Sequence, residues 1–257
     1  MLEATATERL VSRDRFVVGA ALAAVVLVTA WYTIGFARWM AGMNMTVSMP
    51  WTVSNTFLLV VMWLAMMVAM MVPSAAPMVL LYARHVRRRS EAFGPYVPAA
   101  AFLAGYVVLW LGFAALAVGL QWLLDTAGVL SPMMVVTHPW AAAGTLAIAG
   151  AYQLTPAKDA CLSRCRSPVH FLADHWRSGI TGAFHMGLVH GVYCVGCCWA
   201  LMLVLFVGGV MNLTVILALA LFVITEKYLP FGRALSRIAG LGTIAASGAI
   251  ITKAVLA

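Results

Sequence analysis

Residues 55–83 read NTFLLVVMWLAMMVAMMVPSAAPMVLLYA and contain no charged side chain. A helix needs about 20 mainly apolar residues to cross the hydrocarbon core of a bilayer, which is roughly 30 Å thick, so this run predicts a membrane span. Pro73 and Pro77 lie within it, and each removes a backbone N–H, so we expect a kink or a break there. The run places the chain among helical membrane proteins.

The composition of the whole chain agrees with that placement. The 257 residues are 64% hydrophobic and 9% charged, whereas soluble domains are about 45–50% apolar and about 25% charged. These values exclude a soluble globular protein, a disordered chain and a disulfide-stapled secreted domain. They also exclude an outer-membrane barrel, whose strands alternate apolar and polar residues. The net charge of +8 comes from short loops between apolar runs, so it does not indicate a nucleic-acid partner.

The apolar runs predict an all-α, polytopic transmembrane bundle of about seven spans, forming a single integral-membrane domain over residues 1–257. All of the 16 Lys and Arg side chains except Arg38 and Lys253 fall on the same side as the N-terminus. The positive-inside rule then makes the N-terminus cytoplasmic, and we expect a multi-pass protein of the bacterial inner membrane, surrounded by lipid. The seven runs are 16–36, 55–83, 97–123, 139–156, 182–208, 212–229 and 239–256.

Cysteine and histidine concentrate in the run 182–208, where residues 185–198 read HMGLVHGVYCVGCC. On a helix, five potential ligands fall within an arc of about 120°, while His185 points elsewhere. Such a mixed set of thiol, thioether and imidazole groups suits Cu(I), with zinc or an iron–sulfur centre as alternatives. The alternative without metal is that cysteine serves as a small packing residue. The five ligands are Met186, His190, Cys194, Cys197 and Cys198.

Methionines form two further groups. In the run 55–83, Met62, Met66 and Met70 lie four residues apart and form one ridge of a helix, which is either a series of thioether ligands or ordinary gap filling. Four more methionines lie in the predicted outer loop, where clustered thioethers favour Cu(I) unless the segment lies on the membrane surface. The loop methionines are Met40, Met43, Met45 and Met49.

The predicted inner loop carries two more cysteines, Cys161 and Cys165, which share a face if the segment is helical. On the reducing side of the membrane they are thiols, able to hold Cu(I) or half of a zinc site completed by His170 or His175. Alternatively, they lie on the apolar side of an interfacial helix. Three flanking basic residues should favour the thiolate form: Lys158, Arg164 and Arg166.

A charged pair, Glu226 and Lys227, ends the run 212–229. At the inner surface such a pair predicts a membrane anchor with a local ion pair, and a proton or ion role is the alternative.

Three segments resemble the bacterial family of predicted metal-binding integral membrane proteins, a family of unknown function. They are MMVAMMVPSAAP at 66–77, KDACLSRCR at 158–166 and HGVYCVGCCWALM at 190–202. The resemblance implies a polytopic inner-membrane protein with metal binding, and it carries no reaction. The positions that match the motifs are Met70, Met71, Pro73, Cys161, Cys165, His190, Cys194, Cys197 and Cys198.

The leading hypothesis is therefore Cu(I) handling: capture by the outer methionines, retention by His190 and the cysteines of 182–208, and passage to Cys161 and Cys165 or to a copper enzyme. The partners would be an extracytoplasmic metal donor and a copper-enzyme acceptor. The second hypothesis is a redox enzyme, in which a copper centre reacts or Cys194 and Cys197 exchange disulfides. The third is a structural or assembly subunit in which Cys and Met only pack.

Overall fold

The computed structural model describes residues 6–42, 49–89 and 94–256. Across these ranges the chain is all-helical, with nine α-helices and no strand, and an isolated β-bridge pairs Leu130 with Val136. The helices are α1 (Ala6–Gly42), α2 (Val53–Arg88), α3 (Tyr96–Thr126), α4 (Pro139–Gln153), α5 (Pro156–Arg166), α6 (Pro168–His175), α7 (Gly179–Gly208), α8 (Leu213–Tyr228) and α9 (Gly232–Leu256).

Five helical segments in the described ranges are long and apolar enough to cross a membrane, which is compatible with a multi-pass membrane protein. The predicted count of seven is not supported, and neither is the predicted orientation of the N-terminus. The runs 139–156 and 212–229 form α4 and α8, which have only 15 and 16 residues. At 1.5 Å per residue they extend about 22–24 Å, less than the hydrocarbon thickness. The five segments are Arg13–Gly42, Val53–Arg88, Tyr96–Thr126, Gly179–Gly208 and Gly232–Leu256.

Helix α2 continues through both of its prolines, so the predicted break is absent. Pro77 has no N–H to donate to the carbonyl of Pro73, four residues earlier. The Tyr228 hydroxyl donates to that carbonyl instead, at 2.9 Å. One turn of α2 is thereby attached to the end of α8 by a bond that the proline makes available.

Glycines set the closest helix contacts. A Cβ on Gly105 of α3 would lie 2.1 Å from the Phe184 carbonyl oxygen of α7, and a Cβ on Gly187 would lie 1.9 Å from that of Phe102. No side chain fits at those distances, so the backbones of α3 and α7 touch, as small residues permit in membrane bundles. Gly150 of α4 and Gly240 of α9 approach each other in the same way.

Both short helices end next to the middle of longer ones. Tyr152, near the end of α4, donates to the Gly196 carbonyl and its ring lies 5.0 Å from that of Trp199, both in the second half of α7. The end of α8 reaches the Pro73 region of α2. The ends of α4 and α8 therefore lie inside the bundle, against α7 and α2 respectively.

Candidate metal centre

The cysteines of α7 lie on its buried face. Cys194 and Cys197 are 0% exposed and Cys198 is 1% exposed. His190 and Met186, which share the predicted arc, are also buried, and His185 is exposed. The ligand-bearing face of α7 thus points into the bundle.

Cys194 lies at the centre of a polar contact network. Its Sγ is 3.1 Å from the Tyr106 hydroxyl of α3 and accepts a hydrogen bond from the Lys227 ammonium of α8 at 3.1 Å. Lys227 also donates to the Ser74 hydroxyl of α2 at 2.9 Å. Helices α3, α7 and α8 therefore meet at the Cys194 sulfur, and α2 joins them through Ser74 and Lys227. Tyr106, Lys227 and Ser74 were not predicted as site residues.

The neighbouring thiols surround the same point. Cys197 and Cys198 donate to the Cys194 carbonyl oxygen at 3.1 and 2.9 Å, and Cys198 Sγ lies 3.9 Å from Met71 Sδ of α2. Two sulfurs that share one metal ion at about 2.3 Å each are separated by at most about 4.6 Å. The Cys198–Met71 separation is short enough for one soft ion to contact both.

Helix α5 brings its cysteines to the same place. The Cys165 side chain neighbours those of Cys194 and Cys197, since interactions with both raise the pKa of its thiol. Cys161 lies against Gly196, where an added Cβ would be 2.7 Å from its Sγ. The cysteines of the predicted inner loop and those of α7, taken from the sequence as two separate groups, are therefore neighbours. We call Cys165, Cys194, Cys197, Cys198 and Met71 the sulfur cluster, with Cys161 at its edge.

The α5 thiols do not have the electrostatic surroundings that the sequence predicted. Burial raises the pKa of Cys161 above its ordinary value, and hydrogen bonds with Cys194 and Cys197, together with burial, raise the pKa of Cys165. The three basic side chains that were expected to favour thiolates are engaged elsewhere. Lys158 pairs with Glu226 at 2.7 Å, Arg164 pairs with Asp174, and Arg166 donates to the Leu229 carbonyl at 2.6 Å.

Glu226 and Lys227 do not form the predicted local pair, because consecutive side chains on a helix point about 100° apart. Glu226 pairs with Lys158 and accepts from the Ser236 hydroxyl, while Lys227 faces Cys194. Both side chains are buried. The signal that identifies Lys227 in the sequence is a charge at the end of an apolar run, since buried charges in membrane helices serve function more often than anchoring.

His190 occupies an aromatic pocket one turn from Cys194. The rings of Phe102, Tyr106 and Phe171 lie 5.9, 5.9 and 5.2 Å from its own. Within the described part of the chain its Nδ1 has no hydrogen-bond partner. Met186 lies away from the cluster, and its Sδ accepts from the Arg177 backbone N–H at 3.3 Å.

The predicted methionine groups are dispersed. Met62, Met66 and Met70 are buried in α2, and the thioether that reaches the cluster is that of the next residue, Met71. Met40 is not in an exposed loop, because α1 continues to Gly42 and buries it completely. Met49 is half-buried at a small cavity beside Trp51. Met43 and Met45 lie outside the described residues.

In the described ranges, no group of three or more His, Cys, Asp or Glu side chains forms a ready-made metal site. The directions of the thiols explain this. Cys197 and Cys198 point at a backbone carbonyl, and Cys194 points at Lys227 and Tyr106. The donor types fit a soft ion.

The fold and the site define a helical protein, compatible with several membrane passes, whose thiols and a thioether meet inside the bundle. Residues 60–250 match the PpoB2 family, described as copper chaperone, and the chain belongs to that family. The match points to copper and agrees with the metal-binding family that the sequence resembles. No curated protein and no solved structure matches the chain.

Proposed function

We propose that this protein is a membrane-embedded copper chaperone that binds Cu(I) at the sulfur cluster and passes it to a copper-dependent partner. The observation that carries the proposal is the convergence of four thiols from α5 and α7 with the Met71 thioether of α2. Thiolate and thioether ligands suit Cu(I), as well as zinc and iron–sulfur centres, and the copper chaperone family favours copper among these.

Cys194 and Cys198 are the proposed thiolate ligands, and Met71 is the neutral third ligand. Copper binding by two cysteines replaces their thiol protons, so binding releases protons and no redox step is involved. Cys165 and Cys197 touch Cys194 and provide sites to which the ion can transfer by ligand exchange. Cys161, at the cluster edge and partly exposed, is the proposed exit ligand.

The entry route is proposed to begin at the methionines that follow α1 in the sequence. Met43, Met45 and Met49 would receive Cu(I) from an extracytoplasmic donor, and Met62, Met66 and Met70 would lead it along α2. His190 and Met186 line the buried face of α7 on the exit side. The acceptor would be a copper enzyme.

The membrane placement is also part of the proposal. We place the chain in a bacterial inner membrane with the N-terminus in the cytoplasm and seven passes, of which α4 and α8 are short. Helix α6 supports this, because it packs beside the end of α2: Arg89 lies 4.9 Å over the Trp176 ring. The chain leaves α3 at the opposite end of the bundle, so α4 has to lead it back.

The test is Cu(I) binding by detergent-purified protein under anaerobic, reducing conditions, measured by competition with a colorimetric Cu(I) chelator. We expect about one tightly held Cu(I), lost in Cys194→Ser and Cys198→Ser and weakened in Met71→Leu. Met78→Leu, another buried methionine of α2, and Ala200→Ser, a buried position of α7, are the matched controls. Tight binding that survives both cysteine substitutions would contradict the proposed site.

A further inference from the structure

Among the residues that the structure describes, the buried cation Lys227 has no carboxylate partner. Its residue is 7% exposed, and its ammonium contacts Cys194 Sγ and Ser74 Oγ. Among the ion pairs of the described residues, the adjacent Glu226 is committed to Lys158. That pair is neutral as a unit, so it leaves the charge of Lys227 uncompensated. An ammonium buried in this way is costly unless an anion lies beside it.

The group beside Lys227 that can carry the compensating charge is the cluster itself. Cu(I) held by two cysteine thiolates and a thioether has a net charge of −1, and with the Lys227 ammonium the buried unit is neutral. Zn(II) on the same ligands is itself neutral, so the unit would carry an unpaired buried positive charge. Interior electrostatic interactions are strong, so this difference favours the monovalent ion.

We propose that Lys227 is the counter-cation of the copper-loaded cluster, and that its single charge makes the site selective for Cu(I) over Zn(II). The inference rests on the proposed function and adds a selectivity determinant to it. Lys227 acts through Cys194 and does not bind the metal. Ser74 positions the Lys227 ammonium, which it contacts at 2.9 Å. Tyr106 positions the Cys194 thiol, which its hydroxyl contacts at 3.1 Å.

The experiment compares Cu(I) and Zn(II) affinities of the full-length protein and of Lys227→Met, using competing chelators for each metal. Groups that support metal ligands change metal affinity by about 10–100-fold when they are replaced. We therefore expect Lys227→Met to bind Cu(I) about 10–100-fold more weakly and Zn(II) as well as or better than the wild type. Lys227→Arg keeps the charge and should retain the preference for Cu(I). Lys253→Met, which removes an exposed charge, should change neither affinity.

An equal loss of affinity for Cu(I) and Zn(II) in Lys227→Met would show that Lys227 has only a structural role. Unchanged affinities for both metals would also overturn the inference. If Lys227→Met does not fold, Ser74→Ala tests the inference instead. This variant removes a hydrogen-bond partner of the ammonium but keeps the charge, and it should weaken Cu(I) binding more than Zn(II) binding. Failure of the proposed function gives a different result: the wild type and Cys194→Ser would then bind Cu(I) alike, whatever stands at position 227.

Discussion

At the scale of single residues, the site depends on which charged side chains are buried. Lys158 and Glu226 are both 0% exposed and lie 2.7 Å apart, whereas the side chains of Arg164 and Asp174 are 44% and 50% exposed. Both are pairs of a basic and an acidic side chain, but only the Lys158–Glu226 pair is shielded from solvent. The buried pair connects α5, which carries Cys161 and Cys165, to α8, which carries Lys227.

Glu226→Gln should therefore be strongly destabilising. Removing one member of a buried pair leaves the other charge uncompensated and costs about 3–5 kcal/mol, while an exposed pair contributes at most about 1 kcal/mol. We expect a clear drop in the thermal unfolding temperature of Glu226→Gln in detergent and almost none for Asp174→Asn. Similar unfolding temperatures for the two variants would show that the Lys158–Glu226 contact is not buried as described.

At the scale of helices, the approach of α3 to α7 positions the site. Gly105 stands next to Tyr106, whose hydroxyl contacts Cys194. A methyl group at Gly105 would meet the Phe184 backbone at 2.1 Å, whereas at Gly112 of the same helix nothing lies within 4 Å. The Tyr106–Cys194 contact therefore depends on the missing side chain at position 105.

Gly105→Ala should separate α3 from α7. Forced overpacking costs about 1–3 kcal/mol, and the separation should also weaken Cu(I) binding, because Tyr106 moves away from Cys194. Gly112→Ala should be neutral or slightly stabilising, since alanine is the better helix former. Unfolding temperature and Cu(I) competition measure the two effects. Equal behaviour of the two variants would contradict the close packing of α3 on α7.

The sequence predicted the helices more reliably than it predicted which residues of other helices pack against them. The 3.6-residue period placed His190, Cys194, Cys197 and Cys198 on one face of α7, and all four are buried. That period says nothing about the partners Tyr106 and Lys227, because they come from α3 and α8 and depend on tertiary packing. The same limit explains why Met71, and not the predicted Met70 ridge, reaches Cys198.

The helix lengths do not support the predicted count of seven spans, for a related reason. Apolar runs 139–156 and 212–229 looked long enough to cross, but α4 ends at Gln153 and α8 at Tyr228. Next to those ends lie Lys158, Glu226 and Lys227, which are buried because they have partners. Hydropathy measures apolar length and cannot show that a helix stops at an internal polar site.

At the scale of the whole molecule, each end of the bundle has its own set of polar contacts. Asp14 of α1, Arg87 of α2 and Tyr96 of α3 are hydrogen-bonded together at one end. Trp51 and Asp125 are hydrogen-bonded at the other, at 2.7 Å. Helix α6 and Trp176, the residue that follows it, lie beside the end of α2. Helix α6 is therefore at the same end of the bundle as Asp14, Arg87 and Tyr96. The loop before α4 lies at the other end of the bundle, with Trp51 and Asp125.

This arrangement predicts that the loop before α4 and helix α6 face opposite sides of the membrane, although α4 is short. Thr137 and His170 are exposed on these two segments, so Thr137→Cys and His170→Cys can report their sides. In spheroplasts, a membrane-impermeant maleimide should label Thr137→Cys directly and His170→Cys only after permeabilisation. The unsubstituted chain measures labelling of the five native cysteines. Labelling of both variants from the same side would mean that α4 does not cross, and the proposed count of seven passes would be wrong.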